Sequence, residues 1–167
     1  MSEIVDTTQA AVLQAVVNAL IESVPNLTAK TCFISLYPDP PAALPENIWC
    51  TVSVWDGDFP PEMQDGGGQF TCMEDAGVLV KVFSRMKTDR VGHDVNSLID
   101  EARGLLTLKG HLLRALVGQN PQFERQNILT SFIKAKRASA PEQSSTFKGF
   151  NELSILFSTQ FIWALTE

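Results

Sequence analysis

The closing stretch "FNELSILFSTQFIWALTE" alternates over a long distance. From Leu153 to Leu165, every second residue is apolar or β-branched, which predicts a strand with one face in the core. The positions between them include Leu156, Ile162 and two serines. A strand face in water is more polar than this, because exposed apolar surface is unfavourable. We therefore expect the second face to be partly buried against a neighbouring molecule.

Two segments have the apolar spacing of helices. The first covers residues 6–24 and ends at Pro25, which disfavours helical backbone before it. The second covers residues 94–117 and is followed by Gly118, a typical helix C-terminal residue. Gly104 inside the second segment is costly in a helix, so it indicates either a break or close packing on a sheet.

Alternating segments predict strands near residues 32–37, 48–55 and 69–86, and a C-terminal hairpin over 127–165. Trp49 and Trp55 fall on the second face of their strand, which again predicts partial cover. Helix, strands, helix and hairpin in this order indicate one α+β domain spanning residues 1–167. We expect a single mixed or antiparallel sheet of four to five strands, with two main helices packed on one face.

The third extended segment contains "EDAG", where acids followed by glycine predict a bulge or turn. The segment is therefore either one bent strand or two strands. Glu74 and Asp75 would point to opposite faces of a strand, so they are poorly placed to act as an acid/base pair. We interpret them as a solvated bend.

Composition and charge exclude several classes of protein. The chain has 167 residues, 44% of them hydrophobic and 19% charged, which is typical of a folded domain. A net charge of −6 disfavours a general nucleic-acid binder, although it is compatible with a protein surface along which DNA passes without binding. The sequence has no apolar run of transmembrane length and no basic leader at its N-terminus.

Residues with catalytic or metal-binding side chains do not form a recognisable motif. His93 and His111 stand in contexts where a polar residue is ordinary. Asp56 and Asp58 in "WDGDF" are close together but lack the further ligands of a calcium loop, so a turn is the better interpretation. We expect no catalytic residue, no cofactor and no metal, and hence no enzyme.

The three cysteines, Cys32, Cys50 and Cys72, lie in separate strand-like segments. They form no CxxC pair and no cluster with histidine, which disfavours a metal site. Small thiols suit buried strand positions, so we expect reduced core residues, which fit synthesis in the cytosol.

Basic residues concentrate around the predicted hairpin. Lys134 and Lys136 are two residues apart and would share one strand face. They either protect an edge strand from pairing or contact an acidic neighbour, which in a chain of this net charge could be a second copy. The predicted subunit interface consists of Lys134, Lys136, Arg137, Lys148, Leu156 and Ile162.

The stretch "GVLVKVFSRMKTDRVGHDVNSLIDEARGLLTLKGHLLRALVG" resembles the centre of tail-completion proteins of tailed phages, the tail-terminator or neck class. The resemblance is one of pattern and extends over most of the chain. It begins with a V-x-V strand, at Val80 and Val82, and continues with aspartates in a turn, at Asp89 and Asp94. An L-x-D follows at Leu98 and Asp100, and then a GLL before a helix, at Gly104 to Leu106. The helix ends at Leu113 to Leu116, and the final strand carries an F-x-W, at Phe161 and Trp163.

This resemblance implies structural work in a virion. A tail terminator forms a ring, usually of six copies, at the head-proximal end of the tail tube. The ring stops tube growth and offers a surface to head-completion or connector proteins. Implied partners are therefore other copies, the tube protein, the head-completion proteins and the genome DNA that passes through the lumen without specific binding; no membrane is implied.

Three alternatives remain open. The chain could be another neck, tube or baseplate component of a phage-like particle. It could be a small ligand-binding or enzymatic domain, in which case Trp49, Trp55 and Phe59 would line a closed cavity with acids at its mouth. It could also be an adaptor module that binds a peptide at a sheet edge.

Overall fold

The computed structural model describes residues 8–35, 46–59, 71–86, 98–118 and 133–164. Their helices and strands, in chain order, are α1 (Thr8–Ser23), β1 (Cys32–Ile34), β2 (Ile48–Asp58), β3 (Thr71–Arg85), α2 (Leu105–Leu116), β4 (Lys134–Ala138), β5 (Glu142–Gln143) and β6 (Phe150–Ala164).

The six strands form one mixed sheet in the order β1-β2-β3-β6-β4, with β5 also paired to β6. β1 runs parallel to β2, and all other pairs are antiparallel. The predicted α+β class and single mixed sheet are confirmed. The strand beyond the predicted four to five is β5, which at two residues is too short to be recognised by alternation and lies inside the predicted polar loop.

Both helices cover one face of the sheet, which we call the inner face. The core there is apolar and draws on α1, α2 and the central strands; its best buried members include Val12, Leu20, Leu112, Val80, Leu153, Ile155 and Phe157, each at most 1% exposed. The odd-numbered positions of β6 therefore lie in the core for as far as their side chains are described, to residue 160, in agreement with the alternation.

The second helix was expected over 94–117, but α2 begins at Leu105 and residues 98–103 form a turn. Asp100 holds this turn, because its Oδ1 accepts hydrogen bonds from the backbone N–H groups of Ala102 (2.9 Å) and Arg103 (3.1 Å). A Cβ on Gly104 would lie 2.7 Å from the carbonyl oxygens of Asp100 and Leu98. Gly104 thus marks the break, since only a residue without a side chain fits under this turn.

The bulge expected at "EDAG" lies in the neighbouring strand instead. β3 is one strand, and its register with β6 is unbroken from Thr71 to Arg85. The register shift occurs in β2, between Trp55 and Gly57. Glu74 is also not solvated: it is only 9% exposed, and its carboxylate occupies the place that a side chain on Gly57 would need.

Candidate assembly surface on the outer face of the sheet

The face of the sheet away from the helices, which we call the outer face, is covered by aromatic rings at one end. Trp49 is 2% exposed and Phe83 is fully buried. The Trp49 ring lies 5.4 Å from that of Phe83, 5.6 Å from that of Phe150 and 5.8 Å from that of Phe147, measured between centroids. The cover predicted for Trp49 is therefore supplied by the chain itself.

An ion pair follows next along the outer face. Lys81 Nζ lies 3.4 Å from Glu152 Oε1, and the two side chains are 23% and 9% exposed. The same ammonium lies 5.5 Å from the centroid of the Phe83 ring. The two charges are thus paired with each other within the chain.

Further along β2, the Trp55 side chain crosses the outer face. Its cross-strand partner is Gly77. A Cβ on Gly77 would lie 2.6 Å from Trp55 Cβ and 3.0 Å from Leu156 Cδ1, so the tryptophan and the leucine occupy the space above the glycine. The Arg137 guanidinium carbon, reaching over from β4, lies 5.7 Å from the Trp55 ring centroid.

This arrangement corrects one expectation from the alternation of β6. Leu156 was expected to leave apolar surface in water unless a second molecule covered it, yet it is only 4% exposed. Its cross-strand partners are Leu79 and Arg137, and its side chain shares the space above Gly77 with that of Trp55. The exposed apolar group at this place is instead Trp55, which is 43% exposed.

Beyond Trp55 the outer face forms an open concavity of about 620 Å³, which we call the outer trough. Asp56, Asp58 and Asp75 line one side, and Lys134 and Lys136 line the other. All five side chains are exposed. Among the described residues, no ion pair joins either wall to a partner within the chain.

Both walls contain a register shift. Asp56 is the extra residue on β2, and Lys136 is the extra residue on β4. A bulge places one additional residue on its strand and increases the local twist. It also ends the simple alternation, so that Lys134 and Arg137, opposite Ser158 and Leu156, share the outer face. The prediction that Lys134 and Lys136 share a face by spacing is therefore wrong: Lys134 lies on the outer face and Lys136 is the bulged residue, and both line the trough.

The acidic wall contains two directly opposed like charges. Asp58 on β2 is the cross-strand partner of Asp75 on β3. Like charges in this position destabilise a sheet. The described residues contain no group of three or more histidine, cysteine or acidic side chains that could hold a metal ion, so these carboxylates do not form a cation site by themselves. "WDGDF" is thus the bulged end of a strand, where the sequence indicated a turn.

The remaining predicted interface residues lie apart from the trough or outside the described side chains. Lys148 is exposed in the segment between β5 and β6. Ile162 belongs to β6, opposite Met73, but its side chain is not among those described. The structure therefore brings Lys134, Lys136, Arg137 and Leu156 together and places Lys148 elsewhere.

The titratable groups singled out from the sequence occupy structural positions. His111 lies in α2, where its Nδ1 is 3.5 Å from Arg114 Nη2. Cys32 and Cys50 are free, buried thiols on neighbouring parallel strands, directly paired in register. A hydrogen bond with the Cys32 side chain, and then burial, raises the pKa of the Cys50 thiol well above its usual range. His93 and the Cys72 side chain lie outside the described part of the chain.

The pocket expected of a ligand-binding domain does not form from its predicted residues. Trp49 is buried in the aromatic cluster, Trp55 lines the open trough, and Phe59 is 49% exposed beyond the end of β2. The three do not line one closed cavity. Neither helix among the described residues is long and apolar enough to cross a membrane.

Comparison with protein-family models and with curated proteins found no match. Among solved structures, a chain in the virion of a native gene transfer agent (GTA) particle has a similar fold. The two chains share 13% sequence identity with a TM-score of 0.57, and the alignment covers 93% of this chain and 98% of the other. At this identity the similarity establishes the fold.

Sequence reasoning missed the acidic wall. "WDGDF" and "EDAG" contain its three carboxylates, but nothing in either segment shows that Asp58 pairs with Asp75 across two strands. The two bulges were missed as well, because an extra residue leaves no trace in the alternation of a short charged segment such as "KAKRA". The only indication of these features in the sequence was that such charged segments stand at strand ends with no opposite charge nearby.

Proposed function

We propose that the chain is a structural protein of a phage-like particle, present in the virion without enzymatic activity. The observation that carries this proposal is the similar fold of a chain in the gene transfer agent virion, which extends over nearly the full length of both chains. The pattern resemblance to tail-completion proteins, made from different evidence, supports the same class.

Within that class, we propose the role of a tail terminator. Copies would form a ring, six being the usual number, at the head-proximal end of the tail tube, where they would stop tube growth and bind the head-completion proteins. The outer trough supports an assembling role, because it exposes a half-buried tryptophan between two charged walls that have no partner in the described chain. Genome DNA would pass the ring without binding, as the net charge of −6 favours.

Deletion of the gene in a particle-producing strain tests this role. We expect tails of uncontrolled length and heads that remain unjoined, with both defects corrected by the wild-type chain supplied in trans. Normal particles in the deletion strain would contradict the proposal. Tails of normal length that fail to join heads would favour another neck component, and absent or malformed tubes would favour a tube or baseplate component.

A further inference from the structure

We propose that the outer trough binds residues 142–149 of a second copy in a head-to-tail contact. The proposal rests on the ring of the proposed function and names the two surfaces that meet in it. The 142–149 segment consists of β5 and its connection to β6, and it exposes one acid, Glu142, and one base, Lys148.

The first reason is the charge of the trough. Asp58 and Asp75 oppose each other directly with Asp56 beside them, and Lys134 and Lys136 stand on the far wall. An ammonium from outside would offset the repulsion between the two opposed carboxylates. A partner complementary to both walls must therefore present a base and an acid together, and the 142–149 segment does so.

The second reason is that the 142–149 segment is held in one conformation. Ser144 N donates to Phe150 O at 2.8 Å, Phe147 N donates to Ser144 Oγ at 3.1 Å, and Met86 N donates to Gly149 O at 2.8 Å. The Phe147 ring packs 5.8 Å from Trp49 and 5.9 Å from Phe83. A segment ordered before binding loses little conformational entropy on docking.

The third reason is the placement of the two surfaces along β6. Glu142 pairs with Glu152 near the start of that strand, whereas Ser158 and Gln160 line the trough. The six residue-to-residue steps from position 152 to position 158 span about 20 Å at ~3.4 Å per step. Two different, complementary surfaces at opposite ends of one strand make a heterologous contact, and such contacts form a ring when the rotation between neighbouring copies closes.

In the proposed contact, Lys148 lies against the acidic wall and Glu142 against the two lysines. Trp55, 43% exposed at the end of the trough, supplies the apolar contact. Lys148 lies apart from the other predicted interface lysines. This separation is unexpected if all of them form a single patch, but a head-to-tail contact requires it. One copy contributes Lys134 and Lys136, and its neighbour contributes Lys148.

Charge reversal tests the contact. The trough variant is Asp58→Lys, which replaces the Asp58–Asp75 repulsion by an attraction and should not harm the fold. The segment variant is Lys148→Glu. The matched controls are Glu22→Lys on α1 and Lys30→Glu before β1, two exposed positions that neither line the trough nor belong to the 142–149 segment. Thermal unfolding of each variant verifies that the fold is retained.

Sedimentation velocity then measures assembly. We expect rings for the wild type and both controls, at least tenfold weaker association for each single variant, and restored rings for the double variant Asp58→Lys/Lys148→Glu. A 1:1 mixture of the two single variants should also assemble, because each meets a complementary charge on the other.

Four results would overturn the inference. Rings that are unaffected by both single variants, or not restored in the double variant, would overturn the named contact and leave the proposed ring intact. A wild type that associates only to a dimer would overturn the head-to-tail geometry. A wild type that is monomeric at every concentration would overturn the ring of the proposed function together with the contact.

Discussion

The Arg137 guanidinium carbon lies 5.7 Å from the centroid of the Trp55 ring, although β3 and β6 separate their strands. The contact exists because Gly77 has no side chain, which lets Trp55 lie across β3 toward Leu156. Arg137 was predicted as an interface residue, yet its charge already has an aromatic partner within the chain. Among the basic residues of β4, Lys134 and Lys136 are therefore the two whose charges are available to a partner in an assembly.

Removing this contact should have a modest cost. Arg137→Ala is expected to lower the free energy of unfolding by about 0.5–1 kcal/mol, the range for an exposed cation–π contact, with a further loss because Leu156 becomes less covered. Chemical denaturation measures the difference. Lys136→Ala is the control, since no ion pair or ring contact involves that side chain in the described structure; equal stability of the two variants would show that the Trp55 contact contributes nothing.

Gly77 should tolerate no side chain. Gly77→Ala is expected to destabilise the fold by about 1–3 kcal/mol, as overpacking does, because the new methyl group would overlap Trp55 and press on Leu156. Gly110→Ala in α2 is the contrasting change: its Cβ would meet only the Arg114 side chain, at 3.6 Å, and should stabilise the helix by up to ~1 kcal/mol. Thermal unfolding compares the two; a neutral Gly77→Ala would mean that Trp55 does not lie over β3.

The inner face of β6 should carry much of the core energy. Leu153→Ala is expected to cost about 2–5 kcal/mol, since Leu153 is fully buried under the helices. The same substitution at Leu106, which is 45% exposed on α2, should cost less than about 1 kcal/mol. Similar losses at both positions in urea unfolding would contradict the assignment of the odd-numbered positions to the core.

The buried thiol pair should be unreactive in the native state. The pKa of Cys50 is raised in the fold, so the folded protein favours the protonated thiol. The protonated Cys50 thiol contributes its full stabilisation below the pKa of a thiol in the unfolded chain, about 8.5. This stabilisation is lost as the pH rises through the higher pKa that Cys50 has in the folded chain. In a Cys72→Ser variant at about pH 8, near that reference pKa, a thiol reagent should label Cys32 and Cys50 only after unfolding. Rapid labelling of the native protein would show that the pair is accessible.

The fold was largely predictable because its determinants are periodic. The alternation of β6, the apolar spacing of α1 and the order of elements all follow from one buried face. The start of the second helix was predicted wrongly, at residue 94 instead of Leu105, because Gly104 indicated either a break or close packing on the sheet without showing which. The exact bounds of the helices depend on turn hydrogen bonds such as those of Asp100, which no periodicity shows.

The candidate surface could be predicted only in part. The lysines of "KAKRA" were recognisable as an exposed charged segment, but the wall opposite them depends on strand order and register. Asp58 and Asp75 are 17 positions apart in the sequence and become partners only in the sheet. The burial of Leu156 was unpredictable for the same reason, because Trp55 reaches it over a glycine on a third strand.

The central claim, that the chain is a structural component of a phage-like particle, is tested most directly by locating it in that particle. Purified particles should contain the chain in a fixed copy number, and cryo-electron microscopy should show its density as a ring between the head and the tail tube. Purified particles that lack the chain would contradict the claim.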